Sequence, residues 1–159
     1  QDLPIVDLWG VTSTRVAEDT DLLLQGIVLG DPDEAYDPNW QGTVELFEEY
    51  QAGLKDLDGF SHIYLLYHFH RTTQTKLTVV PFLDVEPRGV FATRAPSRPN
   101  PIGLSIVRLL GIEANVLQIE NVDIVNGTPL LDIKPYVPKF DERKNVKIGW
   151  LEGLLPQEG

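Results

Sequence analysis

The chain has no cysteine and no methionine among its 159 residues. The first absence excludes disulfide staples and thiolate chemistry, and leaves the redox compartment open. The second, with Gln1 in first place, suggests a trimmed chain. Basic residues are scarce as well: 13 Lys and Arg against 24 Asp and Glu give a net charge of −11. That balance argues against a surface coated in phosphate contacts, because nucleic-acid affinity leans on clustered cations. No apolar run approaches a membrane span, and the opening "QDLPIVDLWG" lacks a basic n-region. Neither an anchor nor a secretory signal is expected, no membrane partner follows, and a cytoplasmic location is the default.

What is present is the composition of a globular protein, 42% hydrophobic and 9% aromatic. The length predicts one domain over residues 1–159, large enough to bury its own core. The charge is unevenly spread. Residues 1–86 carry 4 basic and 16 acidic side chains, whereas residues 87–159 carry 9 basic and 8 acidic ones. From Pro87 to Ile112 there is no acid at all, against Arg88, Arg94, Arg98 and Arg108. A chance gap in a solvated surface is the plain explanation; an anion site is the sharper one.

Short aromatic and β-branched runs bounded by glycine read as strands, notably "GTVELFEEY" (42–50) and "HIYLLYHFH" (62–70). Between them a brief helical turn is expected to end at Gly59. "KLTVVPFLDV" and "GVFAT" suggest further strands, with Pro81 at an edge or bulge. "GDPDEAYDPNWQG" (30–42) reads as a long surface loop. Many short strands and few helices predict a mainly β fold, a compact β-barrel with short helices. In "VLQIENVDIVNGTPLLDIKPY" (116–136), Asn126-Gly127 predicts a type I′ hairpin. Strand alternation would then place Asn121, Asp123, Asp132 and Lys134 on one face and Val122, Ile124, Leu131 and Ile133 on the other. The polar face is either plain solvent surface or half of a ligand pocket.

Two further constellations carry chemistry. His62, His68 and His70 share one strand face, with His68 and His70 at a spacing used in some metal sites. Hydrogen-bonded histidines in a polar groove are the more ordinary outcome, and no metal is assigned. In "FATRAPSRPNPIGLS" (91–105), Pro96, Pro99 and Pro101 restrict a loop that would present Arg94, Arg98 and Asn100. A guanidinium held in this way suits a carboxylate or phosphate, because its planar fork pairs two oxygens at once.

"RGVFATRAPSRPNPIGLS" (88–105), "VDIVNGTPLLDIKPYVPKFD" (122–141) and "GLKDLDGFSHIYLLYHFH" (53–70) together resemble the TsaA-like, or TrmO-type, family over most of residues 42–150. The resemblance implies a β-barrel unlike the Rossmann-type methyltransferases, an S-adenosylmethionine cofactor and a homodimer. It implies methylation of N6 in N6-threonylcarbamoyladenosine, just 3′ of the tRNA anticodon. It places donor-binding roles on His70, Arg71, Arg94 and Leu104, and on the turn Ile124, Val125, Asn126 and Gly127. An N-terminal contact from Gln25 and Gly26 in "LLQG" belongs with these, after a strand at "WGVTST" (9–14). Longer family members carry an additional C-terminal domain; ending soon after "NVKIGW", this chain reads as the minimal form.

The chemistry of such a donor fits these residue types. Arg94 suits its carboxylate, and backbone carbonyls of the turn and of "PIGL" suit its amino groups. The acceptor nitrogen is delocalised into ring and carbamoyl, so a base would help, with Asp132, Asp123 and His70 as unranked candidates. Arg98, Asn100, Lys134 and Tyr136 are candidate tRNA contacts. Two alternatives stay open: a non-catalytic S-adenosylmethionine-binding barrel, and a metal-dependent barrel enzyme built on His68 and His70.

Overall fold

The computed structural model describes residues 41–81, 83–122, 124 and 127–155. The expected strand at 9–14, the Gln25-Gly26 contact and almost all of the 30–42 loop lie outside these residues, as do Asp123, Val125 and Asn126. The described residues divide into two units, one comprising 41–71 with 101–136, the other 72–100 with 137–155.

The first unit is built on a five-stranded antiparallel sheet in the order β1-β6-β5-β2-β7. Its strands are β1 (Gln41–Glu45), β2 (His62–His68), β5 (Ile102–Glu113), β6 (Val116–Glu120) and β7 (Leu130–Pro135). Alternation in "HIYLLYH" does what the sequence pattern requires. Ile63, Leu65 and Tyr67 point into the core while His62, Tyr64, Leu66 and His68 stay half-covered on the other face. Val44, Val107, Leu117, Ile119 and Leu130 complete a fully buried layer, joined by Val122. The mainly β character is as expected. Among the described residues the sheet is open, with β1 and β7 at its edges.

The helical signal between β1 and β2 becomes two 3-10 segments, Glu48–Leu54 and Leu57–Gly59, joined at Asp56, which takes a left-handed φ of 69°. Leu54 is the residue that anchors the longer segment in the core.

The expected Asn-Gly hairpin does not form. β6 pairs with β1 and β5, whereas β7 pairs with β2, so two strands separate them in the sheet. Gly127 does take a positive φ of 79°, in the segment that leads from β6 to β7. Val122 and Ile124 are buried in that crossing, and β7 takes β2 rather than β6 as its partner. The tight hairpin is instead β5–β6, turning at Ala114 and Asn115 between the paired Glu113 and Val116. Ala114 accepts a φ of 54° there, and Asn115 locks the turn onto β1. Its Nδ2 donates to the Leu46 carbonyl at 2.6 Å, and its own carbonyl accepts the Leu46 N–H at 2.9 Å.

The second unit has little regular structure. β3 (Thr78–Val79) and β4 (Arg88–Gly89) form a two-stranded ribbon, Val90–Ala92 is a 3-10 turn where "GVFAT" had suggested a strand, and α1 (Pro138–Asp141) is a single helical turn. Prolines explain the shortness, since each removes a ladder donor. Among the described residues no helix is long and apolar enough to cross a membrane.

Candidate functional site

Three segments singled out in the sequence meet at one end of the first unit's sheet. The His68 N–H donates to the Pro129 carbonyl at 2.9 Å, and the Phe69 N–H donates to the Pro101 carbonyl at 2.8 Å. The chain therefore leaves β2 towards His70 and Arg71 flanked on one side by the start of "PIGL" and on the other by the segment after Gly127. In the sheet itself, Leu66 lies opposite both Leu104 and Asp132, so these three side chains share one rung and one face. Leu104 is exposed there, an apolar residue presented rather than packed.

His68 and His70 are tuned at this end. Partial burial pushes the His68 imidazole below the usual histidine range. For His70 the same desolvation acts first, and the charges of Arg71 and His68 add to it against an opposing hydrogen bond to the His68 backbone. In both rings the balance is shifted towards the neutral form. An imidazole that donates one N–H to a carbonyl keeps its lone pair on the other nitrogen, free to accept a proton.

Asp132 is placed differently. Its Oδ1 accepts the Ile133 N–H at 2.9 Å and its Oδ2 is 2.9 Å from Lys134 Nζ. The expected sharing of a face by Asp132 and Lys134 is present, and both carboxylate oxygens have partners. Asp132 also borders a cavity of about 470 Å³ with Tyr50, Lys55 and Phe60 over a floor of Leu54 and Leu130. Lys134 and Tyr136 lie towards the far end of β2: Lys134 faces Tyr64, and the Tyr136 N–H donates to the His62 carbonyl. His62 and His68 are roughly 20 Å apart by strand rise. Edge-on contacts of Tyr136 with His62 and Tyr64, at 6.4 and 5.8 Å between centroids, give that end its own aromatic cluster. Among the described residues no three His, Asp or Glu side chains gather as metal ligands.

The acid-free stretch resolves into arginines of different kinds. Arg88 is ion-paired with Asp84 at 2.6 Å and with Glu86 at 3.5 Å, and Asp84 caps the Val85 and Glu86 N–H groups as well. The Arg88 guanidinium, with those N–H groups, holds the Asp84 carboxyl below the usual carboxylate range. Arg108 lies 3.8 Å from Glu120. Arg98 is a strut of its own loop: its Nη1 donates to the carbonyls of Thr93 at 2.7 Å and Ala95 at 3.2 Å. The Thr93 hydroxyl donates to the Val90 carbonyl and accepts the Ala95 N–H, and the Lys76 N–H donates to Ser97. Arg94 is left, exposed and without a protein partner among the described residues. It borders a cavity of about 840 Å³ in the second unit, with Phe91, Thr93, Pro96, Trp150 and Leu151 among its walls. That volume and mixed character suit a small organic anion.

The donor and acceptor candidates thus fall into two sets, His70, Arg71, Leu104, Ile124, Gly127 and Asp132 in the first unit, and Arg94, Arg98 and Asn100 in the second.

Residues 31–142 match the family described as the tRNA-methyltransferase O N-terminal domain. The chain belongs to this family. Among its relatives, a probable S-adenosyl-L-methionine-binding protein of Pyrococcus abyssi is 62% identical over 112 residues, covering 70% of this chain. The human tRNA (adenine(37)-N6)-methyltransferase is 36% identical over 104 residues, 64% of this chain and 24% of its own length. The crystal structure of TrmO from Pseudomonas aeruginosa superposes with a TM-score of 0.59 at 41% identity, over 71% of this chain. The chain spans 61% of the length of the Pyrococcus relative and 49% of that TrmO chain.

Two features of this chain were not anticipated from sequence. Trp150 is far from Arg94 along the chain, and nothing in "KIGWLEG" signals that the two border one cavity. Gly103 in "PIGL" is required by packing, since a Cβ there would run into the Tyr67 ring. A glycine in an alternating strand is the available hint of such close approach.

Proposed function

We propose that this chain is an S-adenosylmethionine-dependent methyltransferase acting on N6 of N6-threonylcarbamoyladenosine at position 37 of tRNA. The observation that carries the reading is the cavity of about 840 Å³ bordered by Arg94, whose guanidinium has no protein partner among the described residues. A fixed loop, an uncommitted cation and apolar walls fit a donor with a carboxylate at one end and a purine at the other. Family membership and relatives named for donor binding and for tRNA adenine methylation support the same reading.

In this proposal Arg94 takes the donor carboxylate in the second unit's cavity; Gln25, Gly26, His70, Arg71, Leu104, Ile124, Val125, Asn126 and Gly127 stand as donor contacts on the family resemblance alone. The bound donor supplies an electrophilic methyl group, and in-line positioning provides much of the rate. His70 is the first candidate to take the proton from N6, because its neutral imidazole retains a lone pair; Asp132 and Asp123 follow. Arg98, Asn100, Lys134 and Tyr136 are assigned to tRNA. The chain acts as a single domain, as a homodimer, in the cytoplasm.

Transfer of labelled methyl from S-adenosylmethionine to tRNA, followed by nucleoside analysis, tests the proposal. Label in the threonylcarbamoyl nucleoside is expected, with none in tRNA lacking that modification. Binding-only names among the archaeal relatives favour a second reading, a donor-binding protein without transfer. Donor affinity by calorimetry with no labelled tRNA would select it.

A further inference from the structure

The second unit's cavity has a wall that the family match does not reach. The match ends at residue 142, whereas Gly149–Leu151 forms a 3-10 turn whose Trp150 and Leu151 border the cavity, with Leu155 beyond. Trp150 is held there firmly. Its indole N–H donates to the Ala92 carbonyl at 2.8 Å, two residues before Arg94, and the Arg88 guanidinium lies 5.5 Å from its ring centroid. Arg88 is itself fixed by Asp84.

An indole usually needs a partner for its N–H and buries the rest. Here the polar edge is satisfied by the loop that carries Arg94, and the half-buried ring borders the open space beside it. The ring is fixed before any ligand arrives, so a flat ligand meeting it loses little of the protein's freedom. Phe91, which is 74% exposed and also borders the cavity, adds a second aromatic surface.

We infer that Trp150 is a donor-binding residue: its ring stacks on the purine of the ligand whose carboxylate Arg94 holds. The inference rests on the donor reading of Arg94 above. It makes the segment after residue 142 part of the binding site, and it specifies the ligand class as an anion bearing a planar heterocycle.

The test uses S-adenosylhomocysteine with the full chain, by calorimetry and by tryptophan emission. Wild type, Trp150→Phe and Trp150→Ala are compared. Trp150→Ala is expected to weaken binding about tenfold or more, as loss of a base–aromatic stack does. Trp150→Phe keeps a ring and is expected to stay within about threefold. Wild-type emission should change on saturation, and that change should vanish in Trp150→Phe because the reporting indole is gone. If Trp150→Ala does not fold, the emission comparison decides alone. Wild-type binding with unaltered affinity in Trp150→Ala, or an emission change that persists in Trp150→Phe, overturns the inference and leaves the donor reading standing. Equal losses in both variants also overturn it, by assigning Trp150 to anchoring the loop through its N–H. No binding to wild type overturns both readings together.

Discussion

The ring of Tyr67 fills the space that a side chain on Gly103 would occupy, and its hydroxyl reaches Ser105 Oγ at 2.8 Å. Tyr67 and Gly103 are register partners across β2 and β5, which puts the ring against its neighbour's Cα. Phe69 packs edge-on against the same ring, 5.5 Å between centroids. The arrangement sits where β2 ends and the His70-Arg71 segment begins, tying local packing to the candidate site.

Gly103→Ala should therefore destabilise the first unit by about 1–3 kcal/mol, the usual cost of overpacking a core. Denaturant unfolding measures it. Stability within 0.5 kcal/mol of wild type, a tolerance typical of surface changes, would mean that Tyr67 moves aside freely.

The Asn115 side chain should matter more than its place in a surface turn suggests. Asn115→Ala leaves the Leu46 carbonyl without its Nδ2 donor and should cost about 1 kcal/mol in the same experiment.

Arg94 and Arg98 should separate by chemistry. Arg94→Lys keeps the charge and loses the fork, so donor affinity should fall about tenfold while unfolding stability stays unchanged. Charge along the sequence assigned Arg98 to tRNA, but its Nη1 also braces the carbonyls of Thr93 and Ala95 on either side of Arg94. Arg98→Ala should then weaken donor binding as well as raise the KM for tRNA. An effect on tRNA alone would show that the brace is dispensable.

Acid should weaken the fold through His68 and His70. Both have folded pKa values below the unfolded value of 6.5, so the folded state prefers them neutral. Their contribution is fully present above pH 6.5; it begins to be lost there as the unfolded chain takes up protons, and continues to fall through the folded pKa values. Thermal unfolding between pH 7.5 and 5 should show the decline. A His68→Gln, His70→Gln double variant should show less of it, and an identical slope in that variant would remove these groups as the cause. If His70 is the base, methyl transfer by the wild type should also decline as pH falls through its folded pKa, below 6.5.

Local patterning in the sequence determined much of the first unit. Alternation in "HIYLLYH" set which side chains of β2 face the core, because a strand has a period of two and only one face of this one is apolar. The acid-free stretch identified the segment carrying the uncommitted arginine, since composition alone reveals where positive charge lacks compensation. Motif length made the family legible, because long matched segments rarely recur by chance. Tertiary structure decided the rest. Asn126-Gly127 looked like a hairpin turn, yet β6 and β7 pair with other strands, because strand pairing is decided across the whole sheet and overrides a local turn preference. Likewise, four arginines that look equivalent along the chain differ by their partners, and Trp150, which borders the Arg94 cavity, is tied to the Arg94 loop by a hydrogen bond spanning 58 residues. Pairings of that range depend on where the whole chain places its backbone carbonyls, which no local pattern encodes.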